Sequence, residues 1–275
     1  MKIVRILVIV VFILAAAVFG VSKVVDLKGR DPSVPEITSD RDILEISCEY
    51  TPDQLTAGLT AYDEKDGDLT DQIIAGNFSR FIEPGLCNVT YVVFDSSKQP
   101  GTLTRKVWFT DYHSPEFTLS EPLVFEEGEG NYSEVMERLG ASDMLDGDLT
   151  DWLVQTDSDA NYQKTGDYHI QVEVTNSFGD TSAVSLPVHV LGSGAHSMEI
   201  ELSSWIVYLD QGEKIDPMEY VEAVYNGEGE EVSKDTVTCE SSVDPDTPGT
   251  YEIHYEAADG LGHTAETWLT VVVRA

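Results

Sequence analysis

The chain repeats part of itself at a spacing of about 80 residues. Residues 61–73 (AYDEKDGDLTDQI) return as residues 141–153 (ASDMLDGDLTDWL), and a period of this length indicates tandem copies of one structural unit. A second landmark follows each copy, a proline or threonine with a glycine before an alternating segment, and it occurs three times, at Pro84, Thr165 and Pro248. The sequence therefore predicts three modules.

The segment after each landmark has apolar residues at every second position, which indicates a strand with one face in a core. These positions are Cys87, Val89, Tyr91 and Val93, then Tyr168, Ile170, Val172 and Val174, then Tyr251, Ile253, Tyr255 and Ala257. Each strand ends at Asp95, Asn176 or Asp259, and a closing strand follows at one common offset. Its apolar pairs are Val107 with Phe109, Val188 with Val190, and Val271 with Val273.

Other strands are predicted from shorter signals. Opening strands are expected at residues 43–50, 123–127 and 204–209, and further strands after the repeated motif at 72–75 and 152–155. With six or seven short strands per module, we predict an all-β chain of three tandem antiparallel β-sandwiches of the immunoglobulin-like type. Their predicted bounds are residues 33–112, 113–192 and 197–275, after an N-terminal segment at 1–30.

That segment contains an uninterrupted apolar run, residues 6–21, with Lys2 and Arg5 before it and Lys23 after it. Such a run predicts either a retained transmembrane anchor or a signal peptide, and we favour the anchor because the run continues past its alanines. The basic flank stays in the cytoplasm, so we expect the modules to be extracellular on a single-pass cell-membrane protein. The alternative is a secreted protein.

The net charge excludes one class of binding partner. Sixteen Lys and Arg against 50 Asp and Glu give a formal net charge of −34, which repels nucleic acid.

The odd number of cysteines excludes a closed disulfide framework. Cys48 and Cys87 both fall on inward-facing positions of the first module, so they form either one disulfide or two buried thiols, and we favour the thiols. Cys239 is expected to be a small buried side chain.

The repeated Asp-Gly-Asp motif allows two interpretations. In the structural one, Gly67 adopts positive φ in a tight turn, short carboxylates accept backbone hydrogen bonds, and Thr70 and Thr150 start the next strand. In the functional one the crowded carboxylates bind calcium. The calcium candidates are Asp63, Asp66, Asp68, Asp143, Asp146 and Asp148. The structural interpretation is preferred, because aspartates that stabilise turns are far commoner than metal sites. The third module replaces the motif with NGEGEEV at residues 226–232, which indicates that the aspartates are not indispensable to the sandwich. No other cofactor is expected.

These motifs resemble the bacterial immunoglobulin-like repeats of the family named after an insecticidal crystal protein domain. That pattern has an Asp-Gly-Asp-x-Thr turn, a Pro-Gly-x-Tyr strand ending in Asp, and a closing strand. It is similar to residues 66–70 with 84–95, and to residues 146–150 with 165–176. The third module matches only through residues 248–259 and 264–273. The resemblance implies spacer, adhesive or accessory modules on bacterial surface proteins.

No motif for catalysis is present. The six histidines lack metal-ligand spacing, and His169 and His254 fall on polar strand faces, where a solvated role is expected. The four tryptophans, Trp108, Trp152, Trp205 and Trp268, could line a sugar-binding face, but core packing is expected for most of them. We therefore predict a non-catalytic surface protein for adhesion, protein interaction or spacing. The alternative is a carbohydrate-binding, calcium-dependent module, with an extracellular protein or a glycan as the partner.

Overall fold

The computed structural model describes residues 11–22, 33–192, 198–259 and 262–274. Residues 11–22 form a helix, α1. Residues 6–10 of the expected membrane segment, and its basic flanks, lie outside the described residues. Within the described part of the chain, no helix is both long enough and apolar enough to cross a membrane.

The chain forms two compact units, residues 1–110 and residues 111–275. The sheets of the first unit make up one module, here called module 1, and those of the second make up two, modules 2 and 3. Strands dominate all three, so the predicted all-β class with tandem sandwiches is confirmed.

Module 1 has one sheet of three strands and one of four. Its strands are β1 (Glu36–Ser39), β2 (Ile43–Ile46), β3 (Leu59–Asp63), β4 (Gly67–Asp68), β5 (Ile74–Phe78), β6 (Leu86–Phe94) and β7 (Pro100–Phe109). The sheet orders are β1-β3-β4 and β2-β7-β6-β5. A short helix, α2 (Pro52–Leu55), connects β2 to β3. Thr51 caps it, because its backbone N–H donates to the side-chain oxygen of Gln54 at 2.7 Å.

Module 2 repeats this arrangement. Its strands are β8 (Glu116–Leu119), β9 (Val124–Glu126), β10 (Leu139–Asp143), β11 (Gly147–Asp148), β12 (Val154–Ser158), β13 (Gly166–Thr175) and β14 (Thr181–Leu191). The sheet orders are β11-β10-β8 and β12-β13-β14-β9. A helix, α3 (Tyr132–Arg138), lies where α2 lies in module 1, and the side chain of Asn131 caps its first turn.

Module 3 has a smaller first sheet among its described residues. Its strands are β15 (Glu199–Leu202), β16 (Ile206–Leu209), β17 (Val221–Tyr225), β18 (Val237–Ser241), β19 (Gly249–Ala258) and β20 (Thr264–Val273). The sheet orders are β15-β17 and β16-β20-β19-β18. Two 3₁₀ turns, Pro217–Tyr220 and Lys234–Thr236, stand in its connections.

The alternating register predicted for the central strands is confirmed. In β6, Cys87, Val89, Tyr91 and Val93 all have no exposed surface. The closing-strand pairs are also buried, and the structure places β6 antiparallel to β7, β13 to β14, and β19 to β20. Burial of these alternating apolar side chains supplies the main driving force for folding each module.

In every module the opening strand of the four-stranded sheet runs parallel to the closing strand. β2 pairs in parallel with β7, β9 with β14, and β16 with β20. Only three or four residue pairs join the two strands in each case. The opening strands β2, β9 and β16 are therefore shorter than predicted. The strands β1, β8 and β15 were not predicted, because four residues are too few to establish a period.

Thr70 and Thr150 do not start a strand, which corrects the expectation for both. Each is the first residue of a 3₁₀ turn, Thr70–Gln72 or Thr150–Trp152, and the next strand begins only at Ile74 or Val154. The hydroxyl of Thr70 accepts a hydrogen bond from the backbone N–H of Ala61 at 3.1 Å. The threonine therefore closes the turn back onto β3 instead of extending a strand.

Candidate functional site

The first aspartate of each Asp-Gly-Asp region is buried and holds the turn from inside. Asp63 is 1% exposed, and its Oδ1 accepts hydrogen bonds from the backbone N–H groups of Lys65 at 2.8 Å and Asp66 at 3.0 Å. Asp143 is 5% exposed, and its Oδ1 accepts from the corresponding amides of Leu145 and Asp146. These partly buried bonds satisfy donors that the turn would otherwise leave unpaired.

The second aspartate connects the turn to the loop after the central strand. Asp66 Oδ2 accepts a hydrogen bond from the backbone N–H of Ser96 at 2.8 Å. In module 2, Asp146 accepts from both the backbone N–H and the hydroxyl of Ser177, at 2.6 and 2.8 Å. The turn is thereby tied to a loop about 30 residues further along the chain.

The third aspartate starts the 3₁₀ turn. Asp68 Oδ1 accepts from the backbone N–H of Thr70 at 2.9 Å, and Asp148 Oδ1 does the same for Thr150. Hydrogen bonds from these threonines lower the pKa of both carboxyl groups. The preceding glycines, Gly67 and Gly147, have φ of 78° and 74°, which a side chain would disfavour.

The carboxylates proposed as calcium ligands therefore each accept backbone hydrogen bonds within their own module. Among the described residues, one group of three side chains brings potential metal-ligand atoms within 4.8 Å of one another, namely His254, Glu256 and Glu266. None of the six aspartates belongs to such a group of described residues. Calcium binding by Asp63, Asp66, Asp68, Asp143, Asp146 and Asp148 stays an untested alternative to their structural role.

Module 3 keeps the turn without the aspartate. Asn226 follows β17, and its side-chain oxygen accepts hydrogen bonds from the backbone N–H groups of Glu228 at 3.0 Å and Glu230 at 2.9 Å. Gly229 has φ of 78°, close to the values of the glycines in the other modules. An uncharged amide oxygen thus supports this turn through the same kind of hydrogen bond.

The sequence did not predict a polar network that lies behind the turn of module 2. Asn176 Nδ2 donates to Asp143 Oδ2 at 3.0 Å and to the hydroxyl of Tyr112 at 2.9 Å, and that hydroxyl donates to Asp180 at 2.7 Å. Burial, followed by the hydrogen bond to Asp180, raises the pKa of Tyr112. The fixed offset of Asn176 from the closing strand was the one sequence signal that marked its position.

The cysteines are present as thiols. Cys48 and Cys87 are buried, whereas Cys239, which was expected to be buried, is partly exposed. Burial raises the pKa of Cys87 to about 11. A thiol with so high a pKa is a poor nucleophile and a poor metal ligand at neutral pH.

Two of the four tryptophans are exposed and two are partly buried, which corrects the expectation that most of them pack in cores. Trp108 and Trp152 are 46% and 68% exposed. Trp205 is partly buried against the core of module 3 and lines a cleft of about 570 Å³ between modules 2 and 3. Trp268 lies between two imidazoles, with ring centroids 3.9 Å from His189 and 4.4 Å from His254.

Modules 2 and 3 pack directly on each other within their unit. Ile206 of β16 is 6% exposed and belongs to the core cluster of module 2. The backbone N–H of Phe117 donates to the hydroxyl of Tyr208 at 2.6 Å, and burial raises the pKa of Tyr208 to about 12. Arg274 forms an ion pair with Glu116. Apolar, hydrogen-bonding and ionic contacts therefore all cross this junction.

The expected solvated role of His254 is wrong, whereas His169 is exposed. His254 stacks on Trp268 and its Nε2 lies 3.2 Å from Glu266 Oε2. The sequence also did not predict His189 as an interaction site. It is 5% exposed, and its two ring nitrogens lie 2.9 Å from Asp167 and 2.6 Å from Glu252.

Residues 206–273 match the family described as "Bacterial surface protein, Ig-like domain". The chain is 28% identical over 249 residues to the pesticidal crystal protein Cry22Aa of Bacillus thuringiensis, covering 87% of this chain and 33% of that protein. It is 29% identical over 164 residues to an uncharacterised 81.3 kDa protein of Acholeplasma phage L2, covering 52% of this chain and 21% of that protein. The chain thus spans a third or less of these relatives, and the predicted resemblance to bacterial Ig-like repeats is confirmed.

Two solved structures show a low overall similarity to this chain. Drosophila N-cadherin EC1-3 matches with a TM-score of 0.30 and 11% identity, covering 90% of each chain. The CBM51-2 and INT domains of Clostridium perfringens ZmpB, in complex with GlcNAc, match with a TM-score of 0.23 and 18% identity, covering 55% of this chain and 26% of that one.

Proposed function

We propose that this chain is a non-enzymatic surface protein, because residues 206–273 match the family described as "Bacterial surface protein, Ig-like domain". Its modules act outside the cell in adhesion or protein interaction, or as a spacer. The family match at residues 206–273 is the observation that carries this proposal. The buried polar groups support it, since Asp63, Asp143 and Arg105 all hold backbone groups in place.

The N-terminal segment supports export in the same proposal. Residues 6–21 are apolar and basic residues flank them, a pattern that directs the following chain out of the cytoplasm. Retention of the segment gives a membrane-tethered protein, and its cleavage gives a secreted one. In either case the net charge of −34 keeps the exposed modules soluble and favours basic partners over nucleic acid.

The test is protease accessibility on intact cells of a Gram-positive host that produces the full chain with a C-terminal epitope tag. We expect protease to remove the tag without cell lysis, and the tag to remain with the cells or enter the medium according to retention or cleavage. A chain lacking residues 6–21 is the matched control and should be protected. Protection of the full chain on intact cells would contradict the proposal.

Glycan binding is a second candidate, and the exposure of Trp108 favours it. Trp108 lies on the outer face of β7, opposite Glu45 of β2. Two residues away on the same face, Lys106 is opposite Asn88 of β6. An exposed indole with hydrogen-bonding side chains around it provides an apolar surface and polar partners, the combination that small-molecule sites use.

Trp152 provides a matched control for this candidate, because it is exposed but belongs to a 3₁₀ turn and not to a sheet face. The measurement is co-sedimentation of the chain with insoluble peptidoglycan and with chitin. We expect Trp108→Ala to abolish retention and Trp152→Ala to leave it unchanged. If neither polysaccharide retains the unchanged chain, or if the two variants behave alike, this second candidate is rejected.

A further inference from the structure

His189 lies between two carboxylates at the junction of modules 2 and 3. Its Nδ1 is 2.9 Å from Asp167 Oδ1, on the neighbouring strand β13 of its own module. Its Nε2 is 2.6 Å from Glu252 Oε1, on strand β19 of module 3. The imidazole therefore bridges the two modules through both of its nitrogens.

These contacts define the protonation state of the ring. An ionised carboxylate only accepts hydrogen bonds, so each ring nitrogen must donate one, and only the imidazolium has both N–H groups. Burial would lower the pKa of His189, but the hydrogen bonds and charges of Glu252 and Asp167 outweigh it and raise the pKa above its ordinary value. In a chain of net charge −34, this buried cation is compensated locally by two anions.

The other groups around His189 favour the cation or are neutral. On β20, Trp268 stacks on the imidazole with an interplanar angle of 11°, a geometry in which an aromatic face attracts a cation. On the far side of Trp268 lies His254, which is paired with Glu266. On β9, the residue opposite His189 is the uncharged Val124.

The arrangement is particular to module 2. At the position of His189 in the closing strand, module 1 has Trp108 and module 3 has Val272. At the position of Asp167, they have Leu86 and Thr250. The fold itself therefore does not require this ion pair, and in module 2 it occurs on the face against which module 3 packs.

We propose that His189 is a protonation-dependent lock between modules 2 and 3, closed when its imidazole carries both protons and weakened when it loses one. Deprotonation leaves one nitrogen as an acceptor facing a carboxylate, which replaces an attraction by a repulsion. Ile206 and Tyr208 would still hold the modules in contact, so we expect loosening of the junction and not unfolding of either module.

The direction of the pH dependence follows from the raised pKa. A histidine whose pKa is higher in the closed junction than in an open one stabilises the closed junction fully below the ordinary value of about 6.5. That stabilisation is lost as the pH rises through the raised value. The junction is therefore predicted to be tight in acid and looser in alkali.

The first measurement is the titration midpoint of His189 by NMR of its ring nitrogens in the detergent-solubilised full chain, with His189→Gln used for assignment. We expect a midpoint above about 6.5, and a lower one in Glu252→Gln, which removes the charge contributed by module 3. A midpoint at or below 6.5 in the unchanged chain would overturn the proposal, even if no histidine variant folds.

The second measurement is hydrogen exchange of the β14 and β16 amides between pH 6 and pH 10, corrected for intrinsic rates. We expect exchange to rise by at most about tenfold per pH unit between about pH 6.5 and the raised pKa of His189, and to level off above that pKa. His189→Gln should exchange rapidly and without this pH dependence, while His169→Gln, an exposed histidine on the same strand face as Asp167, should behave as the unchanged chain. Exchange that is independent of pH in the unchanged chain would also overturn the proposal.

Discussion

The side-chain amide of Asn176 donates a hydrogen bond to the carboxylate of Asp143 at 3.0 Å, across 33 residues of sequence. The other oxygen of that carboxylate accepts the amides of Leu145 and Asp146. The buried side chain of Asp143 thus joins the Asp-Gly-Asp turn to Asn176, which follows the central strand β13. These contacts indicate that Asp143 stabilises the fold.

We predict that Asp143→Ala lowers the free energy of unfolding of module 2 by about 2–3 kcal/mol, because the buried side-chain amide of Asn176 and two partly buried backbone amides lose their acceptor. Urea unfolding followed by tryptophan fluorescence measures this change. The exposed Asp151, eight residues further on, is the control, and Asp151→Ala should change the stability by less than about 0.5 kcal/mol. Equal effects of the two variants would contradict the structural role.

Arg105 leads to a prediction for module 1. Arg105 is 3% exposed, and its guanidinium donates to the carbonyl oxygens of Leu55 and Ala57 and to the hydroxyl of Tyr91. A lysine has no planar fork with which to reach these three acceptors together. Arg105→Lys should therefore lower the free energy of unfolding by about 2–3 kcal/mol.

Lys106 is the matched control for Arg105, because it is the next residue of β7 and points to the exposed face. Lys106→Ala should leave the urea midpoint nearly unchanged. If Arg105→Lys is as mild as this control, the buried hydrogen bonds of the guanidinium contribute little to stability.

Calcium provides a direct test of the Asp-Gly-Asp turns. Since the carboxylates already accept backbone hydrogen bonds, we expect the melting temperature to be the same in EDTA and in roughly 5 mM calcium, a concentration above the dissociation constants of typical extracellular modules. A bound ion at 100 times its dissociation constant would stabilise the folded state by about 2.7 kcal/mol. A rise of several degrees that Asp66→Asn abolishes would establish a calcium site.

Thiol alkylation should follow exposure and pKa. With a pKa of about 11, Cys87 is about one thousandth thiolate at pH 8, whereas an ordinary cysteine is roughly one quarter thiolate. We expect iodoacetamide to modify Cys239 first, and Cys48 and Cys87 only in denaturant, as measured by mass spectrometry of tryptic peptides. Rapid modification of Cys87 in the native chain would contradict its burial.

The sequence was most informative where three copies shared one register. Val89, Ile170 and Ile253 lie at equivalent positions of the central strands, and all three are buried. A period-two pattern repeated at a constant offset reports directly on which face of a strand enters the core. This is why the fold class and the central strands could be predicted.

Contacts that depend on chain reversal or on a neighbouring module could not be predicted in this way. Glu252 contacts His189 across 63 residues, and the other modules have different residues at the positions equivalent to both. Thr70 looked like a strand residue because β-branching favours strands, but the hydrogen bond from its backbone N–H to Asp68 turns the chain. A local side-chain bond overrode the propensity there.

The parallel pairing of the opening and closing strands has a mechanical consequence. Because β2 and β7 run in the same direction, a tensile force on the two ends of module 1 pulls these strands past each other along their length. Their hydrogen bonds must then break together in shear instead of one after another, and the same holds for β9 with β14 and β16 with β20. Each module is therefore expected to resist stretching along the chain.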